Sequence, residues 1–161
     1  MVASTLATAE RSPLIPRPRP VPGGTERARP HDGEADAPSV LIAEDHPDSR
    51  DALRALLEAF GYRVYVAGDG FQAVAEARAH RPDLILMDMM MPGMDGMEAT
   101  RTLRADPDFP HIPIVAVTAM EGSRESVLSA GCDDWVVKPI NIRSFLGRVS
   151  EWLAIPRSEA S

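Results

Sequence analysis

The sequence predicts an α/β protein built on a doubly wound, five-stranded parallel sheet with helices on both faces. Beyond residue 38, short apolar runs alternate five times with segments whose apolar residues recur at helical spacing. Nearly continuous apolar strands are typical of parallel sheets that are buried on both faces, and the intervening helices supply the crossovers. The chain has 161 residues, of which 44% are hydrophobic, and this suits one domain with a substantial core.

Five short segments have the length and composition of buried strands. Most of them are rich in Val, Ile and Leu, and they are separated by turn-forming residues such as Gly, Pro and Asp. The predicted strands are 39–43, 63–67, 83–87, 112–117 and 135–137.

The segments that follow these strands predict helices. The first carries Leu53 and Leu57 on one stripe, with Pro47 at its first turn and Gly61 just past its end. The last is preceded by Asn141, a residue type that favours the N-cap. The predicted helices are 48–60, 71–79, 95–105, 123–130 and 142–153.

The first 38 residues differ in composition from the rest and predict a disordered tail. They hold seven of the fifteen prolines, five arginines and five acidic residues, so the net charge of −7 lies on residues 39–161. Few apolar side chains are present to offset the entropy lost on ordering. The proline-rich run 16–22 suits a polyproline II ligand, but a solvated leader is the simpler interpretation. We predict a domain over 39–154 and a short C-terminal tail over 155–161.

Composition also narrows the function classes. A net charge of −7 disfavours nucleic acid as a partner, because that binding uses a basic face. Cys132 is the only cysteine, which excludes an internal disulfide and cysteine-based zinc sites and favours a cytoplasmic location. We interpret Cys132 as a packed small hydrophobe. No apolar run approaches the ~20 residues that span a bilayer, so no membrane insertion is expected.

Charged and hydroxyl side chains stand where the predicted strands end. Glu44 and Asp45 follow the first strand, Asp88 the third and Thr118 the fourth, and Lys138 follows the fifth. Because parallel strands direct their carboxyl ends to one edge of the sheet, these side chains should meet there. Clustered carboxylates repel one another, and a hard divalent cation such as Mg²⁺ relieves that repulsion.

This set of residues suits phosphoryl transfer to a carboxylate. Asp88 is placed as the nucleophile, Lys138 offers a compact positive charge to one phosphoryl oxygen, and Thr118 offers a hydrogen bond to another. Mg²⁺ and the lysine would neutralise charge in an in-line transition state. Taken singly, each residue has a simpler interpretation as a helix cap, a turn residue or a surface charge, so the prediction depends on the whole set.

The chain resembles the receiver domain of two-component response regulators. The matching stretches occur in the order and at the spacing of that family, and the resemblance covers residues 39–154. The stretches are Leu-Ile-Ala-Glu-Asp at 41–45, Asp-Met-Met-Met-Pro-Gly-Met-Asp-Gly at 88–96, Val-Thr-Ala at 117–119 and Val-Val-Lys-Pro at 136–139.

The resemblance implies a flavodoxin-like strand order of 2-1-3-4-5 and a metal site. By this resemblance, Glu44 and Asp45 form the acidic pair that binds Mg²⁺, and Asp88 is both a metal ligand and the phosphorylation site. The backbone carbonyl of Met90 would complete the protein ligands.

The resemblance also assigns the phosphoryl contacts and the switch. Thr118 is the switch hydroxyl, Ala119 is small enough to leave room for the phosphoryl group, and Lys138 contacts a phosphoryl oxygen. The bond between Lys138 and Pro139 is expected to be cis. Trp135 stands where the family usually has a rotating Tyr or Phe, and its larger indole is a departure from that pattern.

A signalling function follows from the resemblance, rather than an enzyme activity. A sensor histidine kinase or a histidine phosphotransfer protein would donate the phosphoryl group. A downstream protein would bind the surface of the fourth helix, fifth strand and fifth helix, roughly residues 120–150. Eight residues follow the last predicted helix, so no DNA-binding output domain is expected.

Two other functions remain open from the residues alone. Aspartate-nucleophile phosphatases of the haloacid dehalogenase type also use a strand-end aspartate with Mg²⁺. Their second aspartate, two residues further on, is replaced here by Met90, which counts against that activity. A phosphorylation-independent binding module on the same fold is the second alternative, and the complete set of site residues argues against it.

Methionines surround the predicted site. Six of the eight lie within 87–97, and packing around a tight loop is a better interpretation than Cu(I) binding. Met90 and Met120 stand two residues beyond the phosphoacceptor and the switch hydroxyl, and neither can hold an attacking water. We therefore expect slow loss of the phosphoryl group. His46 is interpreted as an exposed residue at the start of a helix.

Overall fold

A computed structural model describes residues 37–119 and 124–155. The predicted N-terminal tail therefore lies outside the described residues except at Ala37 and Pro38. The same holds for the C-terminal tail beyond Ile155 and for Met120.

Five strands form one parallel sheet in the order β2-β1-β3-β4-β5, as the resemblance implies. The chain passes from β1 to β2 on one side and then returns across β1 to β3 on the other side. The sheet is therefore doubly wound. The strands are β1 Ser39–Ala43, β2 Arg63–Ala67, β3 Leu84–Asp88, β4 Ile114–Thr118 and β5 Asp134–Val137.

A helix follows every strand, as predicted. None of the described helices is long and apolar enough to cross a membrane. The helices are α1 Pro47–Ala59, α2 Gly70–His80, α3 Gly96–Ala105, α4 Arg124–Ala130 and α5 Ile142–Leu153.

Two strands begin later than predicted, for separate reasons. Asp83 precedes β3 because its carboxylate accepts a hydrogen bond from the Ser39 N–H at 2.8 Å, which joins the start of β1 to the turn before β3. Strand β4 starts at Ile114 because Pro113 has no N–H to give to the ladder. Strand β3 also ends one residue later than predicted, so Asp88 is its last residue rather than the residue after it.

The core lies in two layers, one on each face of the sheet. Alternate residues of β1, β3 and β4 point to opposite faces, and β3 is buried along its whole length. Helices α2, α3 and α4 cover one face with Ala73, Leu103 and Val127, whereas α1 and α5 cover the other with Leu57 and Phe145. Two covered faces leave only the ends of the strands open for chemistry.

Candidate functional site

The predicted site residues meet at the carboxyl edge of the sheet. Glu44 and Asp45 directly follow β1, and Asp88 ends the neighbouring strand β3. Asp88 pairs with Val117 in the sheet register, so Thr118 at the end of β4 lies one residue further along. Strand order alone therefore brings together residues that are as much as 74 positions apart, from Glu44 to Thr118.

Lys138 joins the two buried carboxylates of the site. Its Nζ lies 3.0 Å from Glu44 Oε1 and 3.2 Å from Asp88 Oδ2. The Lys138 N–H donates to the Thr118 carbonyl at 2.8 Å, and the bond to Pro139 is cis, as expected. Lys138 is thereby directed back over the ends of β1 and β3.

Charge in the site is unbalanced, because one ammonium faces two buried carboxylates. Burial raises the pKa of Asp88 above its usual value and the Glu44 carboxylate adds to this, although the Met90 N–H and Lys138 oppose them. Burial also disfavours the charged form of Glu44, but the His46 N–H and Lys138 outweigh it and hold the pKa of Glu44 below its usual value.

The pKa of Lys138 follows the same balance. Burial disfavours its ammonium, but the carboxylates of Glu44 and Asp88 outweigh that and raise the pKa above its usual value. Lys138 is therefore a fixed positive charge at neutral pH. The site as a whole retains an excess of negative charge.

This donor set fits a hard divalent cation such as Mg²⁺. Every donor that Glu44, Asp45 and Asp88 offer is an oxygen, and two of these carboxylates are almost fully buried. Asp88 Oδ1 accepts the Met90 N–H at 3.0 Å, which turns the main chain of the following loop around the carboxylate. Glu44, Asp45, Asp88 and the Met90 carbonyl are the predicted protein ligands, and Glu44 also pairs with Lys138.

The loop after Asp88 is held by main-chain contacts. A Cβ at Gly96 would collide with the Asp88 carbonyl, and a Cβ at Gly70 would collide with the Met94 carbonyl. The Gly96 N–H donates to Met89 and the Gly70 N–H to Met94, at 3.3 and 3.0 Å. Helices α2 and α3 therefore both begin in close contact with this loop, which only glycine permits.

The methionines of this region divide into two kinds. Met89 and Met91 are each 7% exposed and belong to the core, together with Met87, and Met94 and Met97 pack against it. Packing was therefore the correct interpretation for these five. The Met90 side chain is 62% exposed, so it stands at the mouth of the site.

Thr118 and Ala119 have the burial that their predicted contacts need. Thr118 is 2% exposed at the end of β4, and Ala119 is exposed directly after it. Their contacts to a phosphoryl group remain predictions.

Trp135 lies in β5, half-buried against the core layer of α2, α3 and α4. The Arg124 guanidinium stands over its ring at 5.1 Å from the centroid, a cation–π contact between α4 and β5. The indole is therefore already linked to the helix that follows Thr118 and Ala119. Its rotation during switching remains a prediction.

Two features of the site were not foreseen from the sequence. His46 is 73% exposed, as interpreted, but its ring also lies beside Glu44 and Asp45. An apolar groove of about 590 Å³ runs from Glu44 and Lys138 between α1 and the start of α5. Ile142 lines this groove and is exposed, and no pattern in the sequence predicts the groove.

The fold and the site together define a receiver domain. The family model described as the response regulator receiver domain matches residues 40–150, and the chain belongs to this family. Members of the family act in two-component phosphorelay signalling and are not enzymes in the ordinary sense.

Individual relatives agree with this assignment. The chain is 40% identical over 117 residues to the polar-differentiation response regulator DivK of Brucella anthropi, which covers 71% of this chain and 95% of that protein. The receiver domain of the sensor histidine kinase PA1611 from Pseudomonas aeruginosa is 39% identical with a TM-score of 0.64. That match covers 73% of this chain and 98% of the other, and the PA1611 crystal structure has magnesium coordinated in its active-site cleft.

A second solved structure is similar at lower identity. The chemotaxis protein CheY4 of Vibrio cholerae is 30% identical with a TM-score of 0.64, over 71% of this chain and 97% of that one. It shares the five-stranded parallel architecture described above.

Proposed function

We propose that this receiver domain accepts a phosphoryl group on Asp88 in a Mg²⁺-dependent reaction and signals to a protein partner. The observation that carries the proposal is the contact of Lys138 Nζ with Asp88 Oδ2 at 3.2 Å, beside Glu44 at 3.0 Å. One fixed cation and two buried carboxylates form a nucleophile with its charge partner already in place.

The chemistry follows from these positions. An Asp88 carboxylate oxygen attacks the phosphorus of a phosphohistidine, and the phosphorus–nitrogen bond breaks as the new phosphorus–oxygen bond forms. Glu44, Asp45, Asp88 and the Met90 carbonyl would hold Mg²⁺, which when bound offsets the negative charge of the transferred group. Lys138 then exchanges its bond to Asp88 for a phosphoryl oxygen, and Thr118 donates its hydroxyl hydrogen to another.

The signal would pass through the α4, β5 and α5 surface. A hydroxyl drawn toward the phosphoryl group shifts the end of β4, and the Arg124–Trp135 contact connects that movement to β5. The donor would be a sensor histidine kinase or a histidine phosphotransfer protein. The readout would be a downstream protein in the cytoplasm.

Intact mass after incubation with Mg²⁺ and acetyl phosphate tests the proposal. The parent should gain one phosphoryl group, and the gain should vanish in Asp88→Asn and in a chelated sample. Asp95→Asn, which changes a carboxylate in the same loop that caps α3, is the matched control and should still be modified.

Failure of the folded, Mg²⁺-bound parent to gain mass from either acetyl phosphate or a phosphorylated histidine phosphotransfer protein would contradict the proposal. That result would favour the phosphorylation-independent binding module. Equal modification of Asp88→Asn would place the phosphoryl group elsewhere.

A further inference from the structure

His46 occupies a helix N-cap without capping the helix. Helices α2, α3 and α5 begin after Asp69, Asp95 and Asn141, whose side chains accept backbone N–H bonds at 2.8, 2.9 and 3.1 Å. Among the N-caps that the structure describes, His46 alone makes no side-chain cap bond. Its imidazole is therefore not committed to helix α1.

The backbone holds this imidazole beside the acidic pair. The His46 N–H donates to Glu44 Oε2 at 3.0 Å, and its carbonyl accepts the Arg50 N–H at 2.9 Å. Pro47 restricts His46 to an extended backbone, at φ −82° and ψ 117°. Only the side-chain torsions of His46 remain free, and the ring is 73% exposed.

We propose that His46 is a metal ligand that gives this site a preference for Co²⁺ and Zn²⁺ over Mg²⁺. Its Nδ1 lies 3.8 Å from Glu44 Oε2 and 3.9 Å from Asp45 Oδ1. One donor atom from each of the three residues lies within 4.8 Å of the others. Tetrahedral ligands about 2.0–2.1 Å from an ion stand about 3.4 Å apart, so small side-chain rotations bring these donors to a common ion.

The preference follows from ligand chemistry. Mg²⁺ takes oxygen ligands and retains its waters, so an imidazole adds nothing to its binding. Imidazole nitrogen suits Co²⁺, Ni²⁺ and Zn²⁺, whose affinity for mixed nitrogen and oxygen sites exceeds that of Mn²⁺. The inference rests on the acidic pair that the proposed function also uses, but on neither Asp88 nor phosphoryl transfer.

Calorimetric titration of the full chain with Co²⁺ and, separately, with Mg²⁺ tests the inference. His46→Gln removes the nitrogen donor and retains a polar side chain of similar reach. It should lower Co²⁺ affinity by at least about tenfold, since even outer-shell changes cost about 10–100-fold. Mg²⁺ affinity should stay the same. His111→Gln, which changes a histidine beside Asp133 at the other edge of the sheet, should leave both affinities unchanged.

Two results would overturn the inference. Unchanged Co²⁺ affinity in His46→Gln would show that the imidazole is not a ligand. An equal loss for Co²⁺ and Mg²⁺, with unchanged circular dichroism, would show a general electrostatic effect instead. Asp88→Asn separates the two proposals, because it should abolish phosphoryl addition, whereas adding His46→Gln to Asp88→Asn should still lower Co²⁺ affinity by at least about tenfold.

Discussion

The two edges of the sheet both carry partly buried charge, but the balance of charge differs between them. At the amino edge, one cation meets one carboxylate: Arg104 Nη2 lies 2.9 Å from Asp133 Oδ2. At the carboxyl edge, one ammonium meets the two carboxylates of Glu44 and Asp88. The Arg104–Asp133 pair is therefore balanced in charge, whereas the more deeply buried carboxylates of Glu44 and Asp88, together with Lys138, have an excess of negative charge.

The amino edge is satisfied by many short hydrogen bonds. Arg104 donates from Nε to the Gly131 carbonyl and from Nη1 to the Ile112 carbonyl, each at 2.9 Å. Asp133 Oδ2 also accepts the Ile114 N–H at 3.0 Å, where β4 begins. Even Cys132 beside this cluster is inert, because burial raises the pKa of its thiol to about 11. This edge contributes to stability.

The carboxyl edge has the same kinds of charged group in a different ratio, with two carboxylates to one ammonium. Burial, together with the neighbouring Glu44 carboxylate, raises the pKa of Asp88, whereas a balanced ion pair would lower it. A cation or a phosphoryl group that binds there changes the balance of charge, whereas the charges of Arg104 and Asp133 at the amino edge already offset each other. The comparison teaches that buried carboxylates in excess of their cations mark the functional edge.

Removing the amino-edge cation should have the largest effect. Arg104→Ala leaves Asp133 and two backbone carbonyls without their guanidinium partner, and we expect a loss of about 3 kcal/mol in the free energy of unfolding. This is the low end of the usual range, because the side chains of Arg104 and Asp133 are 16% and 22% exposed. Urea denaturation measures it. Exposed Arg101→Ala is the control, expected to change stability by less than about 0.5 kcal/mol.

The fraction of Arg104→Ala that remains folded should still accept a phosphoryl group. The expected loss in the free energy of unfolding is about 3 kcal/mol, and a loss below about 1 kcal/mol would show that Arg104 does not hold a stabilising network at the amino edge.

Removing the surplus negative charge at the carboxyl edge should increase the free energy of unfolding, by less than Arg104→Ala decreases it. Because the pKa of Asp88 is raised in the folded state, that state binds the proton more tightly than the unfolded chain. Stability therefore falls as pH rises from the unfolded value, about 3.9, through the folded value. Asp88→Asn cannot ionise and should be more stable at neutral pH by on the order of 1 kcal/mol.

The measurement is urea denaturation in chelator between about pH 4 and pH 8. The advantage of Asp88→Asn should shrink toward the acid end of that range. Asp51→Asn, on the exposed side of α1, serves as the control. A variant no more stable than the parent at any pH would contradict the expected charge imbalance.

The smallest expected effect concerns the lifetime of the phosphoryl group. Met90 is exposed at the mouth of the site and has no group to hold an attacking water. In Met90→Asn, one hydrogen bond to that water is worth about 0.5–1.5 kcal/mol, or about two- to tenfold in the rate of phosphoryl loss. Following the phosphorylated mass over time measures this rate. A parent that loses its phosphoryl group as fast as Met90→Asn would refute slow hydrolysis.

The fold was predictable because each element has a local signature. The apolar run of β1 and the stripe of α5 are visible in the sequence, and both elements have their predicted bounds. The start of β4 was placed two residues early, since Pro113 reads as part of an apolar run. The meeting of Glu44, Asp88 and Lys138 was predictable because the carboxyl ends of parallel strands share one edge of the sheet.

Other features have no local signature. The partners of Arg104 are as much as 29 positions away and include backbone carbonyls, which no residue pattern identifies. The opposed pKa directions of Glu44 and Asp88 depend on how far backbone hydrogen bonds and Lys138 offset the burial of each carboxylate. The position of the His46 ring depends on an N-cap geometry that only the folded chain defines.

Gly70 and Gly96 have a consequence for how this sequence can diverge. They hold the loop after Asp88 mainly through contacts with the Met94 and Asp88 carbonyls, and the Met89 and Met94 side chains also lie close to them. Mutations in the exposed residues of that loop, such as Met90, can therefore accumulate without displacing the nucleophile. Sequences that keep glycine at both positions can change the exposed residues around the site, and with them the proteins that the domain binds.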